Sequence, residues 1–386
     1  MSVFAEALEL EHVDSHLHPE PSYDLADHPL PSGQEEVWRF TPLKRMSELL
    51  AGEASSAQLK LDVDLPQGVK HTQITSEQAA ALGEFKPLDR MAALAVQNAE
   101  NVSLFEIAEN AELDRPLTIK LSGDSRSDVV WGHTIVNVKP NAHAVLVFEY
   151  SGSAQYAANL SVLVAPGAKV DYVTLQNWDD DAVHVQQTGF RVSKDAEFRG
   201  FEFTLGGDLV RLSTNVDYLG QGGSAELYGV YFADSGQHFE HRQFVDHTAP
   251  KTKSNVLYKG ALQGDNAHTV WVGNVLIRKI AEGIESFEQN DNLVLTDGAK
   301  ADSIPNLEIE TGEIAGAGHA STTGRFDEQH LFYLQSRGIP HDEARALVVR
   351  GFFVDIIRRI GIPEIEEQLR IAIEEELSYT LGDANE

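Results

Sequence analysis

In the run Gly316-Ala317-Gly318-His319-Ala320-Ser321, one imidazole stands among residues too small to cover it. An accessible imidazole is a nitrogen donor suited to iron or to proton transfer near neutral pH. Glu308, Glu310, Glu313 and Asp327 are close in sequence, so an iron site of mixed imidazole and carboxylate character is chemically reasonable. A lone histidine in a glycine-rich turn is more often structural, and the residues by themselves leave both roles open.

The other histidine groupings fit chemistry less well. His238, His241 and His247 match no helical zinc spacing, and on a strand the first two point to opposite faces. They read as polar positions on a solvent-facing strand. His12, His16, His18 and His28 are interleaved with Pro19, Pro21, Pro29 and Pro31, which argues against a rigid site. The chain has no cysteine, so it offers neither a thiolate zinc site nor a thiol nucleophile, and it cannot carry sulfur covalently. A GxGxxA match at Gly220, Gly222 and Ala225 leads into ELYGVYF, a strand-like run, where a dinucleotide fingerprint requires a helix; it reads as a turn. GxxxxGK[ST], HExxH and GxSxG are absent, so the chain has no phosphate loop for ATP.

The elements that hold these residues change type along the chain. Residues 1–35 read as a mobile leader and 36–101 as an N-terminal helical region, in which Ser76–Asn98 forms two short helices with Ser76 as N-cap. Residues 102–318 consist of short β-branched and aromatic runs with a repeated alanine: Ala111, Ala142, Ala168, Ala196, Ala225, Ala267 and Ala299. Five residues after each stand Pro116, Val147, Val173, Phe201, Val230, Val272 and Ile304, all but the first suited to an inward strand position. A unit of about 30 residues with no helix cannot bury its own apolar face, so the coils must stack into a parallel β-helix, or β-solenoid. Residues 319–386 read as a C-terminal helical region, with Ala344, Leu347, Val348, Gly351, Phe352 and Ile356 sharing one face.

Of 386 residues, 60 are acidic and 30 basic, and the formal charge of −30 repels nucleic acid and anionic membrane surfaces. The acidic N-terminus has the form of neither a signal nor a transit peptide, and no run approaches a membrane span, which points to a cytoplasmic protein.

Four segments carry a specific resemblance: GHASTTGRFDEQHLFYLQSRGI (Gly318–Ile339), LYKGAL (Leu257–Leu262), NDNLVLTDGAKADSIPNLEI (Asn290–Ile309) and EEVWRFTPL (Glu35–Leu43). Together they make the chain similar to the SufB/SufD family of iron–sulfur cluster assembly proteins. That resemblance implies a mainly β protein, a right-handed parallel β-helix between helical regions. Ala320 after His319, the missing cysteine and EEVWRFTPL favour the SufD branch, although some members of it carry a cysteine where Ala317 stands here.

The resemblance further implies a non-catalytic scaffold subunit that pairs with a SufB-like paralogue and docks a SufC-like ATPase. Indirectly it would be served by a cysteine desulfurase and sulfur carrier. No cofactor would be stably bound; iron or a nascent cluster would pass transiently, and reduced flavin could bind the assembled complex. His319 matches the histidine implicated in cluster formation, and the helix bearing Leu347, Phe352 and Ile356 would be the SufC dock. Two other readings compete: a structural scaffold without metal chemistry, and a β-helix enzyme acting on polysaccharide, which needs clustered carboxylates and basic residues that the sequence does not display.

Overall fold

From Val102 onward, runs rich in valine, tyrosine and phenylalanine end at Asn, Asp, Gly or Pro turns, and each run forms a strand. The computed structural model describes residues 18–326 and 328–382. Its first strands are β1 (Lys60–Asp64), β2 (Val69–Ile74), β3 (Val102–Ile107), β4 (Leu117–Val138), β5 (His143–Val164) and β6 (Lys169–Trp178). β7 (Val183–Val192), β8 (Glu197–Thr204), β9 (Leu209–Tyr218), β10 (Ser224–Ala233) and β11 (His238–His247) follow. β12 (Lys253–Leu262), β13 (His268–Ile277), β14 (Ile284–Val294), β15 (Lys300–Ile309) and β16 (Ile314–Arg325) complete the series.

The long strand β5 bends midway: residues 143–152 pair with β6 and residues 155–164 with β7. Two parallel sheets grow from it, β6-β8-β10-β12-β14-β16 on one side and β7-β9-β11-β13-β15 on the other, each turn adding one strand to each. This is the expected β-solenoid. Its interior is a continuous core that includes Phe148, Tyr172, Phe198, Leu227, Tyr258 and Trp271.

The alanine repeat arises from the turns. Asn110, Asn141, Gly167 and Asp195 have positive φ, and each precedes a repeat alanine. These turn residues stack, with Asn141 N–H donating to Pro166 O and Gly167 N–H to Lys194 O. Ala267 and Ala299 follow Asn266 and Gly298, which stack in a different turn column. The repeat therefore joins two columns. The strand positions five residues on also differ from expectation: Val147, Val173, Phe201 and Val230 point outward, and helices bury them.

Those helices are α5 (His341–Ile357) and α6 (Pro363–Gly382), preceded by α4 (Glu328–Ser336) and, near the N-terminus, by α1 (Ser47–Ala51), α2 (Ser76–Ala81) and α3 (Arg90–Asn98). Ala346, Val349, Phe353, Ile356 and Ile360 recur at helical spacing and lie against Phe201, Phe203, Tyr228 and Phe232. Ile356 is thus fully buried against the first sheet, whereas Leu347 is exposed and Phe352 is half-buried beneath the Lys259 ammonium. The expected face shared by Leu347, Phe352 and Ile356 does not form.

The N-terminal region covers the second sheet, where Trp38, Met46, Leu49, Met91 and Leu94 pack on Val183, Val185 and Leu209. It contains two helices where Ser76–Asn98 predicts two, capped by Thr75 rather than Ser76: the Thr75 hydroxyl accepts from Gln78 N–H and the Gln78 side chain accepts from Thr75 N–H. It also contains β1 and β2, paired antiparallel with β4 and β3. The described part of the expected leader, residues 18–35, is anchored. Buried His28 donates to Ser22 O at 2.9 Å, and Arg90 donates to His28 O at 2.8 Å. His12 and His16 lie outside the described residues. Among the described residues, no helix is long and apolar enough to cross a membrane.

Candidate functional site

Strand β14 alternates strictly, turning Ile284, Ser286, Glu288, Asn290 and Asn292 inward and Phe287 and Gln289 outward. In parallel register, Glu288 is aligned with His319 of β16, and aligned residues share a face. His319 therefore faces the solenoid interior from mid-strand. It is not in a turn, because the β run continues to Arg325, beyond the expected end of the core at 318. β16 ends the first sheet and, among the described residues, pairs along one side only, with β14. This leaves the inward-facing imidazole 44% exposed at the open end of the coil.

The acidic group that reaches His319 is Glu288, with Oε1 3.7 Å from Nδ1, too far for a hydrogen bond. The Glu288 side chain is only 2% exposed, and among the described residues neither carboxylate oxygen accepts a well-formed hydrogen bond, the Asn306 backbone amide offering only a loose one. Burial pushes its carboxyl up to about 8, against the lowering effect of the Asn306 backbone amide. Gly273 makes room for it, since a Cβ there would stand 2.4 Å from Glu288 Oε2. Further along β14, Asn290 donates to Tyr231 Oη at 2.9 Å, and Tyr231 donates to Asn292 Oδ1 at 2.7 Å.

The acids close in sequence go elsewhere. Glu308 meets His18 at 3.0 Å, and Glu310 joins them in a cluster whose His18 ring also contacts the Arg278 guanidinium at 3.2 Å. That guanidinium is itself paired with Asp246 at 2.9 Å. Asp327 lies outside the described residues. Glu288 could have been found only through strand register: it stands one coil before His319.

The central histidines do point to opposite faces, but neither face is open to solvent. His238 is buried under the N-terminal region, and His241 and His247 lie inside the solenoid. Thr204 Oγ1 is 2.9 Å from His241 Nε2, and Thr252 Oγ1 is 2.7 Å from His247 Nδ1. Burial holds both imidazoles down to about 3, and His184 likewise. Outside the second sheet, Glu240 is fully buried and accepts from Thr41 Oγ1 at 2.6 Å and from Arg242 at 3.0 Å.

The geometry comprises a parallel solenoid, a free last strand and an imidazole beside a buried carboxylate. A family model, SUF system FeS cluster assembly, SufBD core domain, matches residues 121–352. The chain belongs to the SufBD family. It is 48% identical to an iron–sulfur cluster assembly SufBD family protein of Mycobacterium bovis over 93% of this chain and 92% of that one. A family member from Mycobacterium leprae is 46% identical over 93% of each chain. A second, from the same organism, is 30% identical over 60% of this chain and 26% of its own length. Paralogues of this family thus coexist in one organism, a precedent for a pair of unlike SufBD chains.

Proposed function

We propose that this chain is the SufD-type subunit of a complex with a SufB-like relative and a SufC-like ATPase, and that His319 gives iron a nitrogen ligand while a cluster is assembled. Iron is here cargo rather than a resident cofactor. The observation that carries this reading is an imidazole that faces inward yet remains open on a last strand with a free edge. A strand edge of twelve residues, Ile314–Arg325, is a template for pairing with another chain. A SufB-like chain added there would bring its own ligands beside His319. Without cysteine, this chain leaves sulfur handling to that partner, and without a phosphate loop it leaves ATP hydrolysis to the ATPase.

Exposed Leu347 and Val354 on α5, with Phe332 and Tyr333 on α4, give an apolar surface suited to docking the ATPase. Phe352 borders it, and buried Ile356 supports the helix from beneath. The test is co-expression of the three chains with wild-type or His319→Ala subunit, measuring complex recovery and bound iron and sulfide. The expected result is an intact complex with little cluster. An intact H319A complex with normal cluster yield reduces the chain to a structural scaffold.

A further inference from the structure

We infer that Glu288 and His319 form a two-residue site within this chain for a ferrous ion, the carboxylate being the anionic ligand. This rests on the reading of His319 as an iron ligand and extends it to a residue thirty-one positions earlier, aligned across the β14–β16 pair.

Other buried carboxylates of the protein have partners. Glu202 accepts from Thr214 and Tyr258, Glu84 meets His133, and Glu240 meets Thr41 and Arg242. Among the described residues, Glu288 alone combines a buried carboxylate with two oxygens that accept no well-formed hydrogen bond. Buried polar groups are as a rule hydrogen-bonded, so a buried acid without a well-formed partner is an exception that calls for an explanation. Gly273 supplies the space a side chain would deny, and the carboxylate lies behind the one imidazole at the coil's open end.

Two donors on one metal at about 2.1 Å each are separated by about 3.0–4.2 Å, depending on the angle. The observed 3.7 Å lies inside that range. One imidazole and one carboxylate suit ferrous iron and leave its remaining positions open, as a site shared with a partner chain requires. A bound cation would also neutralise the carboxylate, coupling iron loading to the stability of the last coil.

The test is anaerobic titration of the full chain with ferrous ion alone, read by calorimetry and by the rise in Tm on loading. Glu288→Gln should weaken binding at least about tenfold and remove that rise. Glu288→Met should do the same without a buried amide. His319→Ala should also weaken binding but leave the iron-free Tm close to wild type. Wild-type affinity in both Glu288 variants overturns the inference. If the Glu288 variants bind normally and H319A does not, only the role of Glu288 fails; if H319A also binds normally, the reading of His319 as an iron ligand fails with it.

Discussion

Glu240→Gln tests what ties the N-terminal region to the solenoid. The carboxylate is fully buried on the outer face of β11; Arg242 donates to it at 3.0 Å, Thr41 at 2.6 Å, and Arg211 Nε lies at 3.5 Å. Burial alone would raise its carboxyl, but Arg211, His238 and Arg242 outweigh that and hold it below the usual carboxylate range. Arg211 in turn donates to Asp89 and to Val37 O and stacks 3.9 Å from the Trp38 ring. An amide keeps the shape, removes the charge and points N–H donors at guanidinium groups. Arg211 retains Asp89, but Arg242 loses its one anion among the hydrogen bonds described. Removing one member of a buried ion pair costs about 3–5 kcal/mol, and E240Q should fall in that range. The assay is urea unfolding together with amide exchange of residues 37–46, which should lose protection first. Adding Arg242→Gln should recover about 1–2 kcal/mol, because it removes the stranded cation. A midpoint for E240Q within about 0.5 kcal/mol of wild type, or no recovery in the double variant, would refute the reasoning.

Phe353→Ala should cost about 3–5 kcal/mol and expose α5 and α6 to exchange, because the ring is fully buried against the first sheet. Leu347→Ala, on the exposed side of the same helix, should change stability by less than about 0.5 kcal/mol and instead reduce co-purification with the ATPase. His184, His241 and His247 are held by burial at about 3 against an ordinary 6.5, so between those values the unfolded chain binds more protons than the folded one. Their stabilising contribution is therefore complete above about pH 6.5 and is lost as pH falls toward 3, at up to about 1.4 kcal/mol per pH unit for each ring. Imidazole NMR signals at pH 5 should report three neutral rings; protonated rings in the folded chain would contradict the assignment.

The solenoid was legible in the sequence because turn chemistry is local. Asn110, Asn141 and Asp195 adopt positive φ for reasons carried by their own side chains, and an alanine after each marks the period. Direction was not legible. Val147, Val173 and Phe201 are apolar enough for either face, and only the docking of α5 and α6 makes the outer face of that sheet a second core. The same limit misplaced Ile356, since the buried stripe of a helix depends on which neighbour covers it, and it hid the burial of His238 beneath a region distant in sequence.

His319 could be singled out from its small neighbours alone. Its acidic companion could not, because nearness in sequence favoured Glu308 and Glu310, which face His18 instead. Strand spacing is about 4.8 Å, whereas one coil consumes some 30 residues, so stacking brings Glu288 to His319 from a position no local pattern indicates. Residue types decided which donor atoms this protein has, imidazole nitrogen and carboxylate oxygen but no thiolate. The register of the last coil decided which of them meet.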